Sequence, residues 1–178
     1  MGTTSAGRST SITNISSTGG GSIMGLEATL DNTLGTNSSP IYTTIPTPFF
    51  CINVPANNNP GAVDANGDLL SYNLVPGITG TSGTVTYNIG YSATAPLAVS
   101  TGSFSFSSST GQLAFTPNLV QRSLVVFRVD EYRGSTLVGT SMREMTFVVL
   151  NNCSNNPPTG NMSNNSGGTI TGAGKIIT

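Results

Sequence analysis

The feature that most constrains the fold is a long stretch of alternating side chains toward the C-terminal end of the chain. Residues 122–131 and 136–150 both alternate with a period of two, and a connection that contains Gly134 separates them. This period is typical of β-strands with one buried face, and a Gly in a short connection favours a tight turn. The pattern therefore predicts an antiparallel β-hairpin.

The two faces of this hairpin differ in the side chains that they carry. Alternation predicts one apolar face, formed by Val125, Phe127, Val129, Met145, Phe147 and Val149. The hairpin also carries seven charged residues, namely Arg122, Arg128, Asp130, Glu131, Arg133, Arg143 and Glu144. We expect these to form cross-strand ion pairs on a solvated face, where each pair contributes little to stability. A binding surface is the alternative interpretation.

Shorter strand candidates precede the hairpin at regular intervals. Gly, Ser, Thr and Asn make up half of the 178 residues, and this composition favours strands and turns over helices. The candidates lie at 41–45, 49–54, 69–75, 84–89, 103–107 and 112–116. Short strands between turn signals predict an all-β fold, an antiparallel β-sandwich.

The chain divides into three parts on composition. Residues 1–36 contain two extended stretches, 11–15 and 22–30, which we expect to complete the sheet of a preceding or neighbouring β-domain. Residues 37–156 are the sandwich module. Residues 157–178 are rich in Asn, Gly and Pro and predict a linker or an exchanged strand.

Composition also excludes several functions. The net charge is −1, with six basic residues, so the sequence predicts no nucleic-acid partner. No apolar stretch approaches the roughly 18 to 20 residues of a membrane span, so we expect no membrane insertion. No basic and apolar leader follows Met1, and we expect the chain to be an excerpt of a longer protein.

The two cysteines bear on the setting of the protein. Cys51 and Cys153 bracket the best-patterned region, and a disulfide between them would contribute about 4 to 5 kcal/mol in the chain-entropy model. Disulfides persist in oxidising compartments, so we expect an extracellular protein at the cell surface. Two unpaired buried thiols are the alternative.

One turn concentrates oxygen ligands. Asp64, Asn66 and Asp68 alternate around Gly67, and Asp130 or Glu131 of the hairpin could add a carboxylate. Oxygen ligands that converge around a turn bind hard cations, so we expect Ca²⁺ at Asp64, Asn66, Asp68 and Asp130 and no other cofactor. The alternative is a turn in which these side chains accept hydrogen bonds from the backbone.

Catalysis is not predicted. The chain has no His to activate a Ser or Cys nucleophile. A carboxylate pair for glycoside hydrolysis could be drawn from Asp64, Asp68, Asp130 and Glu131, but the chain has no Trp to form a sugar platform. We expect the protein not to be an enzyme.

Eight stretches, in order along the chain, carry a family resemblance. They are EATLDN (27–32), NSSP (37–40), PFFCIN (48–53), GAVDANGD (61–68), GYSAT (90–94), TGQLAFTP (110–117), EYRG (131–134) and LNNC (150–153). The region from about residue 22 to 157 resembles a repeated module of very large surface proteins of Bacteroidota. Those proteins are associated with gliding motility and are exported by the type 9 secretion system. The turn at 64–68 also looks like the calcium turn of cadherin-like modules.

The resemblance implies a cadherin- or immunoglobulin-like sandwich with a scaffolding or adhesive role and no catalysis. The expected partners are adjoining modules or copies of the chain, a surface polysaccharide or another cell. A second hypothesis is a filament subunit whose terminal strands complete the sheet of a neighbouring chain. A third is a carbohydrate-binding module, for which the candidate platforms are Tyr72, Tyr87, Tyr91 and Tyr132.

Overall fold

Every regular element in the described part of the chain is a β-strand. The computed structural model describes residues 2–17, 23–80, 83–151 and 153. The strands are β1 (Gly2–Ala6), β2 (Ile23–Leu30), β3 (Ile41–Tyr42), β4 (Phe49–Cys51), β5 (Ala56–Asn58), β6 (Ala62–Val63), β7 (Leu69–Leu74), β8 (Ile78–Thr79), β9 (Gly83–Thr84), β10 (Ser105–Phe106), β11 (Leu113–Phe115), β12 (Gln121–Arg133) and β13 (Thr136–Leu150). The predicted all-β fold class is confirmed.

Most strands belong to one large sheet that curls into a half-barrel. Its strand order is β7-β12-β13-β2-β8-β9, with β1 paired to β2 and β4 paired to β13. The pairings are antiparallel except that of β4 with β13, which is parallel. Two small sheets, β10-β11-β5 and β3-β6, complete the described strands.

The predicted hairpin is the centre of the large sheet. Strands β12 and β13 pair in register from Gln121 opposite Val149 to Arg133 opposite Thr136, with one irregularity next to Glu131. Gly134 lies in the connection with a φ of 63°, a conformation that suits Gly. The hairpin is confirmed: the structure extends the first predicted strand by one residue at its start and two at its end, and the second has the predicted bounds.

The inner face of the hairpin carries the main hydrophobic core. Phe147 and Phe127 are fully buried there, and the Phe147 ring lies 4.8 Å from that of Phe50 and 5.8 Å from that of Phe115 between centroids. The other buried members of this cluster are Leu74, Leu97, Leu113, Val125, Met145 and Val149. The small sheet of β10, β11 and β5 contributes to this core, which covers the face that alternation predicts.

The outer face of the hairpin is not a solvated face, contrary to the expectation from sequence. A second cluster covers it, in which Leu124 and Val126 of β12 pack with Ile12, Ile15 and Val85. The N-terminal segment supplies two of these side chains, so β12 is buried on both sides. The expected cross-strand ion pairs are replaced by the pairs Arg8–Glu144, Arg128–Asp130 and Arg133–Asp68, which join other segments or stay within one strand.

The N-terminal strands extend the sheet formed by the rest of the same chain. Strand β2 pairs with β13, with Leu30 opposite Gly139 and Ala28 opposite Ser141, and β1 pairs with β2. The stretch 11–15, predicted as a strand, forms only an isolated bridge from Ile15 to Tyr87. The candidate at 84–89 overlaps only the end of β9, and β1, β5, β6 and β8 were not predicted. The predicted linker at 157–178 lies outside the described residues.

Candidate functional site

In the acidic turn predicted from the sequence, an Asp side chain accepts hydrogen bonds from the backbone of the same turn. The Asp64 Oδ1 atom accepts hydrogen bonds from the backbone N–H groups of Asn66 (2.9 Å) and Asp68 (2.8 Å). Gly67 has a φ of 82°, which suits Gly at this position of the turn. Asp side chains commonly stabilise tight turns in this way. One carboxylate oxygen of Asp64 therefore organises the loop, and Oδ2 takes no part in it.

Arg133, at the end of β12, connects this turn to the hairpin. Its Nε and Nη2 atoms donate to the two carboxylate oxygens of Asp68, at 2.9 and 2.6 Å. Nη2 also donates to Asn37 Oδ1 at 3.1 Å, and Nη1 donates to the Leu34 carbonyl at 3.3 Å. Such bidentate Arg–carboxylate contacts fix the relative orientation of the two side chains as well as pairing their charges. Three segments of the chain therefore meet at one guanidinium group.

Glu131 is the most deeply buried acidic residue of this region. The whole residue has no exposed surface, and its Oε2 atom accepts a 3.3 Å hydrogen bond from Asn37 Nδ2. Burial raises the pKa of Glu131; the negative charges of Asp64 and Asp68 raise it further, while the Asn37 bond and Arg133 oppose the change. We name this group of five side chains the Arg133 network: Asn37, Asp64, Asp68, Glu131 and Arg133.

Asp130, one of the four predicted calcium ligands, lies apart from the other three. Its carboxylate accepts bonds from Arg128 Nε (2.7 Å) and from Asn73 Nδ2 (2.9 Å), whereas neighbouring Glu131 contacts Asn37. Successive side chains of a strand point to opposite faces, so these two acids cannot serve one site. The structure brings Asp64, Asn66 and Asp68 together at the turn and places Glu131, not Asp130, beside them.

The remaining predicted ligand is also bonded within the chain. Asn66 Oδ1 accepts a 2.8 Å hydrogen bond from the backbone N–H of Ser38, and this bond ties the turn to the segment that carries Asn37. Among the described residues, no group of three or more His, Cys, Asp or Glu side chains is arranged to hold a metal ion. Calcium binding stays a prediction.

An open depression borders the network. It has a volume of about 410 Å³ and is lined by Asn32, Gly35, Thr36 and Asn37. Asn37 also contacts Glu131, so the floor of this depression is next to the buried carboxylate.

A second buried polar contact fixes the N-terminal segment to the sheet, and sequence reasoning did not find it. Arg8 Nε donates to Glu144 Oε1 at 2.7 Å, and the Arg8 and Glu144 side chains are only 2% and 6% exposed. Arg8 also donates to the carbonyls of Ile23 and Ile78, at the starts of β2 and β8. The two charges are 136 positions apart in the sequence, which is why no local pattern connects them.

The predicted disulfide is present in the structure. The Cys51 and Cys153 sulfur atoms are bonded, and their Cα atoms are 5.7 Å apart. Cys51 ends β4, which runs parallel to the last residues of β13, with Cys51 opposite Leu150. The bond therefore joins the C-terminal end of the hairpin to β4.

The tyrosines proposed as a sugar platform do not form an exposed row. Tyr72 is 5% exposed, and its hydroxyl donates to the Ala62 carbonyl at 3.2 Å. Tyr87, Tyr91 and Tyr132 are partly buried. The large exposed side chains are aliphatic or phenyl groups, such as Phe49 at 66%. A flat aromatic platform of the kind that binds sugars is not built from these four residues.

Together, the fold and these contacts define an all-β protein with a disulfide staple and two internal polar networks. Searches against protein-family models, curated proteins and solved structures found no match for this chain. In the part of the chain that the structure describes, no helix has the length and apolar character needed to cross a membrane.

Proposed function

We propose that the chain is a β-sandwich module, immunoglobulin- or cadherin-like, of an extracellular bacterial surface protein, and that its role is structural and adhesive rather than catalytic. The observation that carries this proposal is the disulfide between Cys51 and Cys153, which joins points 102 residues apart in the sequence. A bond in that position suits a module that must keep its shape while the parent chain is pulled.

The disulfide changes the path that a pulling force follows. Between the N-terminal strands and Cys153, the covalent path passes through Cys51 and omits the residues between the two cysteines. Those residues form most of the fold, including the whole hairpin. Force applied at the two ends therefore cannot extend them while the bond is intact. Only the segments outside the loop, before Cys51 and after Cys153, can be drawn out, and the Arg8–Glu144 pair and the pairing of β2 with β13 hold the first of them.

The chemistry of the polar groups favours the same role. Asp68 and Asp130 are paired with Arg133 and Arg128, and Asp64 organises a turn. Groups bonded in this way serve to hold the fold together. Exposed apolar side chains such as Ile45 (80%) and Phe49 (66%) favour adjoining modules or other copies as partners over a polysaccharide.

Single-molecule stretching of the chain, held by handles at both ends, tests the structural role. We expect the oxidised chain to lengthen only by the unlocked terminal segments. After reduction, the stretch between the two cysteines, which are 102 positions apart, becomes extensible, and the contour length should grow by roughly 340 to 370 Å. The double variant Cys51→Ser/Cys153→Ser should show the long extension without a reductant. The long extension in the oxidised wild-type chain would contradict the proposal.

Location outside the cell is tested in the organism that makes the protein. Alkylation of free thiols in intact cells, followed by mass spectrometry, should leave Cys51 and Cys153 unmodified until a reductant is added, because disulfides persist in oxidising compartments. Protease treatment of whole cells should also release peptides of the chain. Alkylated cysteines together with protection from protease would rule out a surface location.

Filament assembly by strand addition is the second candidate. The observation that favours it is that β1 and β2 lie beside β13 as an addition to the sheet that the rest of the chain forms. The same strands of a neighbouring chain could make the same pairings. Light scattering after size exclusion separates the two candidates, because the module should be monomeric across concentrations. Growth of open-ended polymers would favour the filament.

A further inference from the structure

Residues 12–16, which we call the inserted segment, fill a slot between two stretches of the fold. One side of the slot is the first half of β12, because β7 pairs only with the second half of that strand. The Thr13 N–H donates to the Arg122 carbonyl at 2.7 Å. The Leu124 N–H donates to Asn14 Oδ1 at 2.8 Å. The inserted segment therefore takes the place of a neighbouring strand along this part of β12.

The other side of the slot is formed by residues 85–88. The Ser16 N–H donates to the Thr86 carbonyl at 2.8 Å. The Asn88 N–H donates to the Asn14 carbonyl at 3.0 Å. Backbone groups on both sides of the slot thus take partners from this one segment, as they would from a strand inside an antiparallel sheet.

The side chains of the inserted segment make its fit specific. Asn14 is fully buried, and its Nδ2 atom donates to the carbonyls of Leu124 (3.0 Å) and Pro96 (2.9 Å). Ile12 and Ile15 belong to the apolar cluster on the outer face of the hairpin. A strand that is added to a sheet gains affinity from backbone bonds and specificity from its side chains. The slot therefore selects an extended segment that carries a buried Asn flanked by apolar groups.

The inserted segment and its slot lie on different sides of the disulfide in the covalent path. Residues 12–16 precede Cys51, whereas residues 85–88 and 121–124 are inside the loop that the disulfide closes. A force on the N-terminal end acts first on β1 and then on the inserted segment, before it reaches β2. Pulling therefore empties the slot while the disulfide keeps its two sides within a closed loop.

We propose that the slot is a binding site that opens under force, and that its ligand is the inserted segment of a second copy of this chain. Emptying the slot uncovers the apolar side chains of Val85, Leu124 and Val126 and leaves backbone groups of β12 unpaired. An open strand edge of this kind pairs with an incoming strand. A second copy under the same load has released an identical segment, which offers every contact that the slot has lost. The inference rests on the proposed role under tension, and it means that copies become cross-linked where they are pulled.

Stretching the oxidised wild-type chain beside a synthetic peptide of residues 7–17 tests the site. Without the peptide, the released segment should return to the slot whenever the force is lowered, so its extension step should recur in every pull. The wild-type peptide should occupy the emptied slot, and the step should be missing from the pulls that follow. A peptide with Asn14→Ala should leave the step in place. Recurrence of the step at millimolar wild-type peptide would overturn the proposal, whereas the long extension of the oxidised chain would contradict the structural role itself.

Fluorescence anisotropy of the labelled peptide with the full chain tests the same site without force. Asn14→Ala in the chain weakens the occupant and leaves the slot unchanged, so more molecules have an open slot and the affinity for the peptide should rise on the order of tenfold. Ile12→Ala should change the affinity in the same direction. Asn118→Ala, at an exposed position outside the slot, should bind the peptide as the wild type does. Equal affinities in the wild type and in both segment variants would overturn the assignment of the ligand.

Discussion

The two faces of the β12–β13 hairpin are buried by different means. On the inner face, phenyl rings and aliphatic groups seal the core, with Phe127 and Phe147 completely buried. On the outer face, a smaller apolar cluster sits between buried polar contacts, namely the Arg8–Glu144 pair and the Asn14 side chain. Both faces exclude water; the inner one does so mainly with apolar groups, and its buried polar residues, Gln121, Ser123 and Glu131, lie toward the two ends of β12.

The two kinds of burial have different consequences: apolar burial stabilises the fold in general, and buried polar contacts fix the positions of particular segments. Apolar burial is non-directional and tolerates repacking when volume is kept. Buried ion pairs and amide bonds require particular partners, and removing one partner leaves the other unsatisfied. We infer that the inner face supplies most of the stability, and that the outer face determines where the N-terminal segment docks.

The largest effect is expected on the inner face. Phe147→Ala removes a ring that packs against Phe50 and Phe115, and we expect a loss of about 3 to 5 kcal/mol in the free energy of unfolding, because a cavity replaces buried surface. Chemical denaturation of the oxidised chain measures it. Phe49→Ala is the control, since Phe49 is 66% exposed, and its cost should stay within about 0.5 kcal/mol. Equal losses at the two positions would contradict the assignment of the core.

Removing Arg8 from its ion pair with Glu144 should cost nearly as much stability, and a second substitution at Glu144 should restore part of it. Arg8→Met leaves Glu144 as an uncompensated buried charge, and we expect a loss of about 3 kcal/mol. The double variant Arg8→Met/Glu144→Leu should recover part of that loss, since apolar residues of similar volume can replace a buried pair, while the carbonyls of Ile23 and Ile78 still lack the Arg8 donor. Denaturation of the two variants measures the difference. If the double variant were less stable than the single one, the pair would not be acting through charge burial.

The inner face was predictable from sequence because its information is local. Alternation over 122–131 and 136–150 gives strand type, pairing partner and buried face together. The outer layer depends on contacts between Arg8 and Glu144, and between Asn14 and Leu124, at separations of 136 and 110 residues. No periodic pattern carries such information. Strands of two or three residues, such as β6 and β8, contain too few positions to show a period.

The candidate site was predictable only in part, for a related reason. The turn at 64–68 can be recognised in the sequence from its Asp, Asn and Gly residues. Alternation shows that Asp130 and Glu131 face opposite ways, but it does not say which of them meets the turn, because β12 is buried on both faces. Arg133, which joins the turn to the hairpin, was one unassigned charge among the seven of that region.

Asn14 is expected to give an intermediate effect on the outer face. It is fully buried; its Oδ1 accepts from the Leu124 N–H at 2.8 Å, and its Nδ2 donates to the carbonyls of Leu124 and Pro96. Asn14→Ala leaves buried backbone groups unbonded, and we expect a loss of about 1 to 3 kcal/mol. The control is Asn118→Ala, because Asn118 is exposed and water can replace its single bond to Val99. A smaller loss at Asn14 than at Asn118 would contradict the outer-face network.

Tyr87 tests the burial of the outer face through the pH dependence of stability. Burial raises the pKa of Tyr87 to about 12 from its ordinary value of 10.0, with Glu144 adding to the rise and Arg8 opposing it. Between pH 10 and 12, the unfolded chain loses this proton and the folded chain keeps it. The unfolded state then binds fewer protons, so the contribution to stability is complete below pH 10 and is lost as pH rises toward 12.

Tyr87→Phe should therefore weaken the fall in stability between pH 10 and 12 and leave the pH dependence of stability below pH 10 unchanged. The slope should not vanish, because burial also raises the pKa of Tyr42 and Tyr72. Urea midpoints measured at intervals of pH on both proteins compare the slopes directly. An unchanged slope in Tyr87→Phe would mean that water reaches Tyr87 on the outer face. The outer face would then differ from the inner one in how completely it is buried, and not only in the groups that bury it.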